Sequence, residues 1–387
     1  MPSPAANLDL IRDHNDGLLI AIARATPTFD RASIVAASGL TPQAVSKILA
    51  RLIEHGLIVP AGIRRQGIGK PANIYELVPT SRYAIGAHVA RHTLRLVLVD
   101  LTGTVRSSAV TRLPADFTPQ HLLHAVVAGI AALVGEHPDS AGRTVGVGIG
   151  MVGPLDFANG IVRDAHRLRH WHDIPLRDLA EAAIGLPVHL DKDVTAGVTA
   201  AAWRSGTAFT DAALIMVESG IGAGLWLDGR AYRGAHTNAG EFGHTVLQLD
   251  GPPCVCGRNG CLEILHDRAA AAGDLPTAAR ILAAGIVNLL QTVDVDHVVL
   301  AGTDLLAHPE VYRTAVEHAI RTEVPHPDWL PVEVLLSGTG ADTIAAGAAM
   351  QVLDARYGLR MTPGRTPERS GQVAVKMTAR PEAAARS

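Results

Sequence analysis

The chain is 387 residues long, 48% hydrophobic and 18% charged, with a net charge of −3; this supplies apolar material for two or three buried cores and excludes wholesale disorder. Its apolar runs are too short and too often broken by Gly, Pro or charge to span a bilayer, and residues 1–10 lack a basic region followed by an apolar one, so a cytoplasmic protein with no membrane partner is expected. The charge is uneven: residues 1–80 hold eight Lys/Arg against six Asp/Glu, and the remainder 26 against 31.

Residues 8–24 place Leu8, Leu10, Ile11, Leu18, Leu19 and Ile22 at helical spacing. A second helix is expected from Asp30, its N-cap, to Ala37. Ser38, Gly39 and Leu40 make a turn, and a third helix opens with Thr41 as N-cap and Pro42 at its first position, closing at His55. Two short helices about a Gly-bearing turn form a helix-turn-helix pattern. Strands at 57–60 and 73–78 then bracket the basic loop 64–71 as a two-stranded wing. The start of the second helix of such a pair meets base edges in the major groove. Thr41, Gln43, Ala44, Ser46 and Lys47 stand there: Gln43 can read adenine, Thr41 and Ser46 can hold bases or phosphate, and Lys47 suits phosphate or guanine. Arg64, Arg65 and Lys70 of the wing would add phosphate or minor-groove contacts. A small protein-interaction head with a solvated basic loop is the plainer alternative; the cap-turn-cap order together with the basic wing favours double-stranded DNA.

From residue 82 the texture changes. Strand-like runs at 94–99, 145–149, 214–217 and 298–300 alternate with Ala-rich helical stretches at 121–134, 195–203 and 277–293, an α/β pattern. Three segments result: a winged helix-turn-helix over 1–80, an α/β domain over 82–358, and a disordered, mildly basic tail over 359–387.

All three cysteines lie within eight residues, and with His244 they give H-x9-C-x-C-x4-C over His244, Cys254, Cys256 and Cys261. One imidazole and three thiolates complete a tetrahedral zinc set with no position open to water, which makes the expected zinc structural. Three unrelated thiols beside a surface histidine are the alternative. Glu241, three residues before His244, and Glu263, two after Cys261, would be held rigidly by such a clamp, as binding of a polyhydroxylated ligand requires.

This segment, ExGH over 241–244 and CxCGxxGCxE over 254–263, resembles the signature of the ROK family of sugar-responsive repressors and sugar kinases. The resemblance covers nearly the whole chain: residues 148–154, 170–176 and 220–224 match further family landmarks, and the head resembles that of the repressor branch. It implies an actin-like, sugar-kinase-like fold of two lobes, with Glu241, His244 and Glu263 binding sugar hydroxyls. Residues 189–197 resemble the segment that carries the kinases' general base, with Asp193 in that position and Lys192 replacing the usual asparagine; Asp193 as a helix N-cap is the competing reading. Lys192 exchanges a neutral donor and acceptor for a cation, so either the ligand differs from a plain hexose or Lys192 turns away.

Kinases of this family carry an Asp-x-Gly-Gly-Thr turn that lets backbone amides approach phosphate. Here His88 stands for the Asp, Ala90 and Arg91 for the glycines and His92 for the Thr, which disfavours phosphoryl transfer and leaves no residue assigned as catalytic. The leading expectation is a DNA-binding transcriptional regulator, a repressor, acting as a homo-dimer or tetramer on a pseudo-palindromic operator under control of a sugar-type effector. An ATP-dependent sugar kinase with an appended head is the alternative, and a regulator that senses zinc itself is a third reading, weakened because closed three-thiolate ligation makes a poor reversible sensor.

Overall fold

The computed structural model describes residues 8–64, 71–165, 168, 170–205, 209–326 and 329–358. Arg65 and Lys70 of the expected wing and the expected tail lie outside them. The chain opens with α1 (Leu8–Ala25), β1 (Phe29–Asp30), α2 (Arg31–Ser38), α3 (Pro42–Glu54), β2 (Ile58–Arg64) and β3 (Ala72–Leu77). Asp30 caps α2 in a reciprocal box with Ser33, and Gly39 ends that helix in the left-handed conformation. Thr41 caps α3 by accepting from the Ala44 amide at 3.2 Å, with Pro42 at the first helical position. The apolar stripe Val45, Ile48, Leu49 and Leu52 of α3 is buried against Leu19, Ile20 and Ile34. One expectation is corrected here. The sheet has three strands, order β1-β3-β2, because Phe29 and Asp30 pair with Tyr75 and Ile74; β2 also runs on to Arg64 rather than ending at Pro60.

Next come β4 (Tyr83–Val89), β5 (Thr93–Asp100), β6 (Val105–Arg112), α4 (Pro119–Glu136), β7 (Thr144–Met151), β8 (Leu155–Asp156), β9 (Ile161–Asp164), β10 (His172–Ile174), α5 (Leu176–Ile184), β11 (Val188–Lys192) and α6 (Asp193–Ser205). The rest holds β12 (Ala212–Val217), β13 (Ile221–Leu227), β14 (Arg230–Tyr232), α7 (Leu262–Ala271), α8 (Leu275–Val293), β15 (His297–Ala301), α9 (Thr303–Leu306), α10 (Pro309–Glu323), β16 (Glu333–Leu336) and α11 (Thr343–Tyr357).

Two five-stranded sheets organise this part, in orders β6-β5-β4-β7-β11 and β14-β13-β12-β15-β16. Each is an antiparallel meander of three strands whose first strand pairs in parallel with a fourth, and the fourth with a fifth. The same topology thus occurs twice in the chain. A small antiparallel sheet, β8-β9-β10, borders the first copy.

Helices α6 and α11 pack on each other; α6 lies against both sheets and α11 against the first, with its Ile344 and Ala348 reaching the buried cluster of the second. They are built from small residues, and at Gly347 a Cβ would strike the Ala196 carbonyl, so the two helix backbones are in direct contact. Helix α11 also carries the N-terminal elements: Ala345, Ala349, Met350 and Leu353 share one buried cluster with Leu19, Ala23 and Leu57. A Cβ at Gly17 of α1 would collide with the Tyr357 carbonyl at the end of α11. The described N-terminal elements, α1 to β3, therefore rest on the α/β body through an apolar seam. Among the described residues no helix is long and apolar enough to cross a membrane.

Candidate functional site

A cleft opens where parallel strands of both sheets end, the side on which open α/β sheets bind ligands. Its walls include His88 near the end of β4 and Arg91 after it, Gly153 after β7, Lys192 and Asp193 at the junction of β11 with α6, Glu218–Gly220 between β12 and β13 with Ile221 and Gly222 at the start of β13, and Glu241, His244 and Glu263. The four residues expected to contact an effector, Asp193, Glu241, His244 and Glu263, are brought together here from three segments, Glu241 and His244 sharing one.

Strand β11 passes into α6 with no intervening loop, so Lys192 and Asp193 are held by regular structure. Asp193 accepts from the Val194 amide at 2.7 Å, and burial pushes its carboxyl above the ordinary value. Asp193 is itself the first residue of α6, and this bond reaches the next amide rather than one two or three positions on, so it is not an N-cap bond; the residue lines the cleft. Lys192 does not turn away. Its side chain is 4% exposed, and Nζ donates to Glu241 Oε1 at 2.6 Å and to the Ala239 carbonyl at 3.0 Å. The cation that replaces the expected asparagine thus pairs with one of the carboxylates expected to meet an effector. Only the structure could find this pairing, since the partners lie 49 positions apart.

Glu263 sits in the first turn of α7 and accepts from the Ile221 amide at 2.9 Å, tying the cysteine-rich segment to the β12–β13 turn. Gly220 and Gly243 press against its carboxylate. Glu218, in that same turn, was not singled out from sequence. Burial and the nearby charges of Asp193 and Asp304 raise its carboxyl to about 7. On the opposite wall His88 is buried in β4, and burial lowers its imidazole to about 4. His88, Arg91 and Glu218 thus all present side chains to the cleft.

Beside the cleft, one ligand atom each of His244, Cys254, Cys256 and Cys261 lies within 4.8 Å of the others. Cys254 Sγ is 3.6 Å from His244 Nδ1, and Cys256 Sγ is 3.6 Å from Cys261 Sγ. A sulfur-to-sulfur edge of roughly 3.8 Å follows from tetrahedral zinc with bonds of 2.3 Å, whereas a disulfide needs about 2 Å. The cluster thus has the donor set and spacing to hold a metal ion. Burial raises the Cys256 thiol, but hydrogen bonds from the Arg258 backbone and guanidinium outweigh it and bring the thiol down to about 7.

At the far end of the molecule, Thr41, Gln43 and Lys47 are exposed on the first turns of α3, while Ala44 and Ser46 are half-buried. Ser46 Oγ donates to the Pro42 carbonyl at 2.8 Å and accepts from Arg31 at 3.2 Å. Arg31, at the start of α2, joins this face and escaped the sequence reading because it belongs to a different helix. Arg64 forms an ion pair with Asp30 at 3.3 Å, so part of its charge is engaged within the head.

The α/β body with duplicated sheets, its cleft and its Cys3His cluster have the architecture of the sugar-kinase-like folds. Residues 84–273 match the ROK family. The Bacillus subtilis xylose repressor is 22% identical over 380 residues, covering 90% of this chain and 97% of that protein. Other curated relatives at 26–28% identity match over 258 residues, so that the match spans 64% of their own length. Among solved structures, a ROK family transcriptional regulator described as a homologue of the Escherichia coli MLC protein superposes with a TM-score of 0.71 at 23% identity, covering 90% of this chain and 98% of that one. The ROK hexokinase of Thermus thermophilus superposes with a TM-score of 0.57 at 27% identity, over 69% of this chain and 97% of that one.

Proposed function

We propose that the chain is a DNA-binding transcriptional repressor whose ROK domain binds a sugar-type effector in the cleft. The observation that carries this reading is the pairing of two surfaces on one rigid frame. Helices α1 to α3 and strands β1 to β3, read here as a helix-turn-helix with a wing, expose Thr41, Gln43 and Lys47 beside Arg31 and rest on α11. The same helix packs on α6, whose first residue, Asp193, lines the cleft. An effector that prefers one arrangement of the cleft thereby biases the head, and it shifts the equilibrium only by its difference in affinity for the two arrangements. The division into a head over 1–80, a ROK domain over 82–358 and a basic tail over 359–387 belongs to this proposal. So does a homo-dimer on a pseudo-palindromic operator, since each head offers a single recognition helix.

Asp193, Glu241 and Glu263 are the acceptors for effector hydroxyls, with His244 beside them. The ion held by His244, Cys254, Cys256 and Cys261 is zinc; when bound it supplies rigidity and no open coordination position. It fixes the loop that carries Glu241 and the start of α7 that carries Glu263. The names of the B. subtilis xylose repressor and of the ROK regulator, which matches over 90% of the chain, support the reading.

A sugar kinase is the second reading, favoured by Asp193 in the general-base position and by the likeness to the hexokinase. His88, Arg91 and Glu218 oppose it by filling or repelling the phosphate side of the cleft. Fluorescence anisotropy on the DNA upstream of the chain's own gene, titrated over a panel of sugars with and without ATP, separates the two. Binding that one sugar alters tenfold or more, with that response lost in Glu241→Ala and no ADP formed, is expected. Turnover of ATP with a sugar would replace the repressor reading by the kinase one.

A further inference from the structure

A second cavity, of about 580 Å³, lies on the seam between α1 and the body. Its volume falls in the range of small-molecule pockets. Arg24 of α1, Trp203 and Arg204 of α6, Trp226 of β13, Arg233 after β14 and Asp354 of α11 line it. It shares no lining residue with the cleft that holds Glu241 and His244.

Its charges do not cancel. Arg233 is committed to Asp191, donating to Oδ2 at 2.7 and 3.0 Å, and its guanidinium covers the Phe157 ring at 4.0 Å. Arg24 interacts with Asp354, and burial brings its guanidinium down to about 10. Arg204 is exposed and has no carboxylate partner among the described residues. One cation is therefore left over. Two buried donors on lining residues, Arg24 Nε and Trp226 Nε1, also have no hydrogen-bond partner among the described protein groups. A buried donor without an acceptor is costly, so a ligand that brings acceptors gains at this place. The walls are aromatic as well: the Arg24 guanidinium lies 3.7 Å above the Trp203 ring, and Trp226 stands with it. Indole faces accept the C–H face of a compact ring.

We infer that this cavity is a second ligand site, for a small organic anion of monosaccharide size carrying a carboxylate or phosphate. The anion meets Arg204 and Arg24, acceptor oxygens meet the Arg24 and Trp226 donors, and the carbon skeleton lies against Trp226, since the Arg24 guanidinium already covers Trp203. Because Arg24 belongs to α1 and the other groups to the body, a ligand held here bridges the two and stabilises their docking. A site of this kind gives the protein a second metabolic input that acts at the joint rather than at the cleft.

The test is isothermal titration of the full-length protein with gluconate, glucose 6-phosphate, glucose and inorganic phosphate. Saturable binding of at least one of the two organic anions is expected. It should weaken tenfold or more in Arg204→Gln, an exposed position whose change does not endanger folding, and also in Trp226→Phe, which keeps a ring and removes the N–H. It should persist in Glu241→Ala, so that failure of the cleft reading and failure of this one are told apart. The carboxylate and phosphate arms identify which anion is preferred. Absence of binding by both organic anions at millimolar concentration overturns the inference, as does binding that is unchanged in Arg204→Gln or abolished by Glu241→Ala. Inorganic phosphate binding as tightly as the organic anions would overturn it too, by reducing the cavity to a plain anion site.

Discussion

Lys192 Nζ lies 2.6 Å from Glu241 Oε1, with the lysine side chain 4% exposed and the glutamate 32% exposed. The pair is asymmetric: the cation is enclosed by the protein while the anion still faces the cleft. Removing Glu241 strands a buried ammonium, whereas removing Lys192 leaves a carboxylate that water can reach. In a double-mutant cycle of Lys192→Met and Glu241→Gln, a coupling of about 1–3 kcal/mol is expected, with Glu241→Gln the costlier single change. Urea unfolding of the four proteins measures it, and additive effects would mean that the contact carries no energy.

The cysteine cluster predicts about one zinc per chain in purified protein, lost in Cys256→Ser. Because Glu263 follows Cys261 and is tied to Ile221, metal loss should loosen the cleft as well as the loop. Chelation should lower the melting temperature of the parent and leave Cys256→Ser unchanged. Elemental analysis with a thermal melt decides it, and an unchanged melt after complete metal removal would exclude a structural role.

On the DNA side, Lys47→Ala and Arg31→Ala should weaken operator binding and each reduce the salt slope by about one. Gln43→Ala should instead relax preference at one base per half-site, at a cost of about 1–3 kcal/mol against the preferred base. Anisotropy at several salt concentrations and on single-base operator variants distinguishes these behaviours. A salt slope identical to the parent's for Lys47→Ala would remove that residue from the interface.

Glu218 gives stability a pH dependence of defined sign. Its folded-state value, about 7, lies above the ordinary 4.5, so between these values the folded protein binds more protons than the unfolded chain. Stability from this group is full below about pH 4.5 and is lost as pH rises through 7. Glu218→Gln removes that loss, and its melting temperature should exceed the parent's at pH 8 but not at pH 4.5, by up to about 3 kcal/mol in free energy. Parallel pH dependences in the two proteins would show that Glu218 ionises freely.

Legibility followed the range of the interactions. The metal cluster and the helix caps at Asp30 and Thr41 were readable because their parts lie within a few residues of one another, where spacing alone dictates geometry. The third strand of the N-terminal sheet was not, since Phe29 and Asp30 are too short a run to display alternation and their partners Tyr75 and Ile74 come much later. The twofold occurrence of one sheet topology also left no trace, because it is stored in strand pairing and not in a repeated motif. Lys192 was visible as a departure from the expected asparagine. Its meaning depended on which carboxylate it would meet across the cleft, a tertiary fact.

Gly17 seated against the Tyr357 carbonyl, with the apolar seam around it, has a consequence for the operator itself. A reader on a loose tether can swivel to follow its half-site around the double helix, but one locked to its body cannot. In a dimer of such subunits the angular phase between the two half-sites is fixed by the protein. Inserting about five base pairs between them turns one half-site to the opposite face of the duplex, whereas inserting about ten restores its facing. Affinity should therefore rise and fall with spacer length at the period of the DNA helix, and replacing Gly17 by valine, which unseats the head, should flatten that oscillation.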